Sequence, residues 1–128
     1  MIYTNIYEYI LEMKQTLINK KDIVGINQQI GESGEFHNEG SLDFALSIIK
    51  QKKSWLYELS YLVRSILVDH VFKDGNKRTA MILAATYLQD KKLEYDKERI
   101  ERVFWKIPKK NITDINRIAR LIKSVIIY

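Results

Sequence analysis

From His70 to Arg78 the chain reads His-Val-Phe-Lys-Asp-Gly-Asn-Lys-Arg. An imidazole such as that of His70 is the side chain best suited to take a proton from an attacking hydroxyl near neutral pH. The carboxylate of Asp74 is a candidate ligand for Mg²⁺, which takes one or two protein carboxylates and fills its other positions with water and substrate phosphate. Gly75 allows a sharp turn, and Asn76, Lys77 and Arg78 all seek phosphate: Arg78 as a planar fork, Lys77 as a point charge. From Thr79 to Leu88 the chain is then almost continuously apolar and helix-forming. A loop that opens onto such a helix presents free N–H groups and the positive end of the macrodipole, which together make an anion cradle. Two cations in that first turn oppose the macrodipole unless an anion is there to meet them. Each residue also has an ordinary use. His70 extends the stripe Leu59, Val63, Ile66, and Asp-Gly is a common turn dipeptide.

Six stretches with apolar residues at helical spacing surround this loop. Ile2, Ile6, Tyr9, Ile10, Met13 and Leu17 mark the first, and Leu42, Ala45, Leu46 and Ile49 the second, with Ser41 as its expected cap. Leu56, Leu59, Val63, Ile66 and Leu67 mark a third, ending at His70. The fourth, Thr79 to Gln89, is apolar nearly all round and is expected to be the buried central helix. Ile100, Val103, Phe104 and Ile107 form a fifth, capped by Asp96 and stopped by Pro108, and Ile115, Ile118, Ala119, Ile122 and Val125 form the last. Between Val24 and Gly40 lie Gly25, Gly31, Gly34 and Gly40, four of the five glycines, so a small glycine-rich β-hairpin flap is expected there. A glycine-rich excursion of this length in a helical chain is more often functional or mobile than structural. The expected architecture is all-α: a single compact domain over residues 1–128, with about six helices around a central one.

Composition narrows the chemistry. The 128 residues are 46% apolar and 29% charged, the balance of a folded globular chain. The absence of cysteine removes disulfides, thiolate metal sites and cysteine nucleophiles. Two histidines without paired spacing argue against zinc. No apolar run is long enough to cross a bilayer and no signal-peptide pattern is visible, so the expected location is cytoplasmic, with no membrane partner. The net charge of +5 comes with basic pairs such as Lys20-Lys21, Lys52-Lys53 and Lys109-Lys110 scattered along the chain, which reads as a solvated surface; nucleic acid is not an expected partner.

The segment resembles the signature of the Fic/Doc (fido) family, H-x-F-x-[DE]-[GA]-N-[GK]-R, in His70, Phe72, Asp74, Gly75, Asn76, Lys77 and Arg78. Glu39-Gly40-Ser41-Leu42-Asp43-Phe44-Ala45 is similar to the E-G-L-L-E-S-A segment of its Doc-type members. The resemblance implies a helical Fic/Doc-like domain that binds ATP and Mg²⁺ and modifies a hydroxyl side chain on a target protein. It implies that His70 is the general base, that Asp74 holds the metal, and that Gly75, Asn76 and Lys77 line the phosphate hole. It further implies that Arg78 contacts the transferred phosphate and that Phe72 anchors the loop. The flap, Gly31, Glu32, Ser33, Gly34, Glu35, Phe36 and His37, would hold the target segment strand against strand.

AMP-transferring members usually carry glycine at the position of Lys77 and a second arginine at that of Met81. Doc-type members share Lys77 and the loss of that arginine, and they transfer the terminal phosphoryl group; Gly75 points the other way, because the Doc toxin has alanine there. The favoured expectation is a Doc-type kinase acting on Ser or Thr, as the toxin of a toxin–antitoxin pair, with AMP transfer (AMPylation) as the alternative. The inhibitory [ST]-x-x-x-E-[GN] motif has no full match: Thr4 to Tyr9 supplies Glu8 but has Tyr9 where Gly or Asn belongs. Restraint is therefore expected from an antitoxin-like partner protein. The rival of another class is a non-catalytic helical module that binds nucleic acid or protein.

Overall fold

The structure, a computed structural model, describes residues 18–51 and 54–128. Among them are six helices: α1 (Lys20–Gln29), α2 (Glu39–Ile49), α3 (Trp55–Leu67), α4 (Asn76–Asp90), α5 (Lys97–Lys109) and α6 (Ile115–Lys123). Two short strands, β1 (Glu94–Tyr95) and β2 (Ile126–Ile127), pair antiparallel, with Glu94 opposite Ile127. The expected first helix, Ile2 to Leu17, and Glu8 with it, lie outside the described residues.

The chain folds as an all-α domain whose middle is the α3–α4 pair. α4 packs against α1, α3 and α5, and α3 also touches α2, α5 and α6. Thr79, Ala80, Leu83, Ala84, Ala85, Thr86 and Leu88 of α4 are buried, as its apolar run requires. Leu59, Leu62, Val63 and Ile66 of α3 are fully buried beside them. Outer helices are one-sided, like α5, which buries Ile100, Val103, Phe104 and Ile107 and turns its charges outward.

The glycine-rich region departs from expectation. Its first part is α1, which the sequence reading placed in a flap, and no hairpin forms; the two-stranded pairing is instead β1 with β2. Gly25 weakens a helix by about 1 kcal/mol, but burial of Ile23 and Ile26 and a capping box outweigh it. In that box the Asn19 side chain accepts from the Asp22 N–H while the Asp22 carboxylate accepts from the Asn19 N–H. Gly31 ends α1 with φ +97°, its N–H bonded to the Gln28 carbonyl and that of Glu32 to the Asn27 carbonyl. That is a Schellman turn, which favours glycine at its left-handed position. The flap is therefore an irregular stretch between α1 and α2, with left-handed backbone at Gly34 and one β-bridge at Phe36. Asn38, not Ser41, caps α2: its side chain accepts from the Ser41 N–H. Asp96 caps α5 as expected, and Pro108 falls in its last turn, with Lys109 one residue beyond.

Candidate active site

α3 ends at Leu67, three residues before His70, so His70 is not the end of that helix's buried stripe. It stands on the loop between α3 and α4, exposed, with φ +54°. Left-handed backbone at a non-glycine residue is uncommon and is held there by its surroundings. Those surroundings are the start of α2. The Val71 carbonyl accepts the N–H groups of both His37 and Asn38, the Asn38 side chain donates to the Asp69 carbonyl, and the Ser41 hydroxyl donates to the Asp69 carboxylate at 2.6 Å. Both neighbours of His70 are thus tied to one segment.

The flap lies along the loop. The Lys73 N–H donates to the Glu35 carbonyl and the His37 N–H to the Val71 carbonyl, which sets Phe36 opposite Phe72. Their rings stack 5.6 Å apart, and Phe72 is buried as its expected anchoring role requires. Since neighbouring residues in an extended strand turn their backbone groups to opposite sides, the N–H and C=O of Phe36 face away from Phe72. An exposed ion pair between Lys73 Nζ and Glu35 at 2.8 Å joins the same two segments. It holds the Glu35 carboxyl below its ordinary range and the Lys73 ammonium above its own.

Asn27, a residue that sequence reasoning missed, knits the site together. It is 1% exposed. Its Nδ2 donates to the Asp74 carbonyl (2.9 Å) and to the Thr79 hydroxyl (3.1 Å), and its Oδ1 accepts from the Gly34 N–H (2.9 Å). One amide therefore joins the flap, the loop and the first turn of α4. The available signal was a polar side chain one position after Ile26 in a segment with too little apolar periodicity to read as a helix.

Asn76 was expected to contact phosphate, but its side chain is committed elsewhere. Its Oδ1 accepts from the Phe72 N–H and its Nδ2 donates to the Phe72 carbonyl, at 2.9 and 2.8 Å. This clamp closes the turn and leaves only the Asn76 main chain to face an anion. Gly75 precedes it with φ +77°, and a Cβ built there would lie 2.6 Å from Glu32 Cγ and 3.2 Å from Asn27 Nδ2. Glycine is thus favoured by both backbone and space.

The other five described helices begin with an Asn, Ser or Asp side chain accepting from the first turn: Asn19, Asn38, Ser54, Asp96 and Asp114. α4 has no side-chain cap and no acidic residue in its first turn. The first helical bond closes from the Thr79 N–H to the Gly75 carbonyl, so the N–H groups of Asn76, Lys77 and Arg78 are left to an outside acceptor. Arg78 is exposed and makes no ion pair among the described residues. Lys77 Nζ lies 3.7 Å from Glu101, at the end of a groove of about 880 Å³ between α4 and α5. Asp74 is exposed beside Gly75. The structure therefore brings Asp74, Gly75, Lys77 and Arg78 to one helix end, with His70 on the same loop.

A family model described as Fic/DOC family matches residues 6–88, which include the flap, the loop and most of α4. The chain belongs to the Fic/DOC family. No curated protein matches it. Membership in the Fic/DOC family brings transferase chemistry of the Fic type. α5 and α6 lie beyond the matched residues. No helix among the described residues is long and apolar enough to cross a membrane.

Proposed function

We propose that this Fic/DOC protein is a Doc-type kinase that moves the terminal phosphoryl group of ATP to a Ser or Thr hydroxyl of a target protein. The observation that carries the reading is the uncapped start of α4, where free N–H groups meet Lys77 and an unpaired Arg78 with no acidic residue in the first turn. An anion supplies what this helix end lacks, and nucleotide phosphates are the anions that the family's chemistry uses.

The residues fit Mg·ATP. Among the described residues no three acidic or histidine side chains form a ready-made metal cage, so a bound Mg²⁺ would rely on Asp74 and on nucleotide oxygens. When bound, the ion offsets phosphate charge. Arg78, Lys77 and the N–H groups of α4 hold the phosphates and stabilise charge on the phosphoryl group in flight. His70 takes the hydroxyl proton as the new O–P bond forms and the bond to the bridging oxygen breaks, releasing ADP. The target strand pairs with the outward N–H and C=O of Phe36, which aims its hydroxyl toward His70.

Lys77 and Met81 favour phosphoryl over AMP transfer. Gly75 does not weigh against this, because the left-handed backbone and the nearby Glu32 side chain account for it. The nucleic-acid-binding alternative is disfavoured because α4 is packed among α1, α3 and α5 and has no face to offer a DNA groove. In this reading the protein is a toxin, restrained by an antitoxin-like partner and acting inside the cell.

The test is incubation with cell lysate and ATP labelled separately at the α and γ phosphates. Label on protein from γ alone, lost in His70→Ala with the helical circular dichroism unchanged, is the expected result. Label from α means AMP transfer. No label from either, or full transfer by His70→Ala, overturns the proposal.

A further inference from the structure

The positive charge of this chain is not evenly distributed. Residues 96–128 hold nine of the 21 basic residues but only four of the 16 acidic ones, so they carry the entire net charge of +5 while residues 1–95 balance. The structure gathers this excess on α5 and α6, whose inner faces are buried. It also uses up the acids. Asp96 and Asp114 cap the two helices, Glu98 lies 4.0 Å from Arg102, and Glu101 faces Lys77. Among the described residues Lys106, Lys109, Lys110, Arg117, Arg120 and Lys123 have no ion pair.

An aromatic anchor sits within this charge. Trp105 is 52% exposed on α5, with Lys109 Nζ 3.9 Å from the centre of its ring. Trp105, Arg102, Lys106 and Lys110 line the groove of about 880 Å³ that reaches Lys77, and a second groove of about 400 Å³ runs along the other side of Arg102 and Lys106. Trp and Arg are the residues that most often anchor protein interfaces.

We infer that the face of α5 around Trp105 docks an acidic segment of the protein that the enzyme modifies. Charge complementarity selects an anionic occupant. Glu98 and Glu101, paired with Arg102 and Lys77, break the row of cations that a phosphate backbone would track, whereas a flexible polypeptide can set its carboxylates on the cations around them. The groove touches the catalytic loop at Lys77 alone and leaves His70, Asp74 and Arg78 outside its walls. An occupant there is held beside the reacting groups without covering them, which suits a substrate and not an inhibitor. Naming the occupant as the target rests on the transferase reading; binding of an acidic chain does not.

The test compares two double substitutions with equal loss of charge, both near helix ends: Lys106→Gln with Lys110→Gln, and Lys91→Gln with Lys92→Gln at the end of α4. Binding of poly-L-glutamate, without nucleotide, is followed by tryptophan fluorescence at about 50 mM salt, where surface charges are weakly screened. The expected result is about tenfold weaker binding for the α5 pair and less than twofold for the α4 pair. In the lysate assay the α5 pair should also lose target labelling while its affinity for Mg·ATP is unchanged. Equal losses in both variants, tighter binding of polyuridylate RNA than of poly-L-glutamate, or normal labelling despite lost binding would each overturn the inference. If the wild-type protein labels nothing, the transferase reading fails, and with it the naming of a substrate; the binding arm still decides whether the face takes acidic chains.

Discussion

Replacing Asn27 with alanine puts the positioning of the site to the test. The substitution removes bonds to the Gly34 N–H, the Asp74 carbonyl and the Thr79 hydroxyl. Thr79 is fully buried, so water cannot readily replace its lost partner. The other two groups lie nearer the surface, where water recovers part of the loss. At about 1 kcal/mol net for each bond, with Thr79 toward the upper end, the fold should lose about 3 kcal/mol. For 128 residues the unfolding entropy is on the order of 0.27 kcal/mol/K, so Tm should fall by roughly 10 °C. Urea unfolding should show a lower midpoint with the slope unchanged. The Gly34 amide should exchange faster than this global loss accounts for, because the flap loses its own tether. Asn27→Asp is the sharper variant. It keeps the shape and the acceptor for Gly34 but turns a carboxylate oxygen toward the Asp74 carbonyl. It should be at least as damaging at neutral pH and recover in part as pH falls and the carboxyl becomes neutral. A loss below about 1 kcal/mol in Asn27→Ala, or unchanged protection of the Gly34 amide, would show that Asn27 does not hold loop and flap together.

Two further outcomes follow from the same geometry. Gly75→Ala forces an alanine into left-handed backbone, costing about 1–2 kcal/mol, and pushes Glu32 Cγ aside; it should lower Tm and weaken Mg·ATP binding by calorimetry. Glu58 is partly buried beside Tyr87, and burial raises its carboxyl above the ordinary 4.5 against a smaller opposing pull from Lys91. The folded state therefore prefers the neutral acid, so this contribution is full below pH 4.5 and is lost as pH rises through the raised value. Glu58→Gln should consequently raise Tm slightly at pH 7, leave it unchanged near pH 4, and flatten the profile between; a destabilised variant at pH 7 would contradict this.

The candidate site could be read from the chain because its information is local. Nine consecutive residues, from His70 to Arg78, contain the proposed base, an acid, the turn and the cations, and the apolar run after them announces a buried helix. Helices with strong periodicity were equally plain, as in α5, where Ile100, Val103, Phe104 and Ile107 recur on one face and Asp96 marks the start. α1 was not, because Gly25 and the buried Asn27 interrupt its stripe and most of its stabilising contacts come from elsewhere in the fold. For the same reason the expected hairpin became an irregular segment, joined by one bridge to the loop at Phe72 and not to a neighbouring stretch of the flap.

What the order of residues determined by itself is the chemical inventory and its spacing: a helical chain, no thiols, and one loop equipped for anions. What only the tertiary structure decided is which groups are free to act. Asn76 looks like a phosphate ligand in sequence, yet folding spends its amide on Phe72 and leaves Arg78 unpaired. His70 looks like the tail of a buried stripe, yet the early end of α3 turns it out to solvent. The charge excess of residues 96–128 is already present in the chain, but only burial of the apolar faces of α5 and α6 turns it to the surface. Spacing along a chain records which groups are near neighbours; hydrogen bonding and burial, settled by contacts between distant segments, determine which of them remain available.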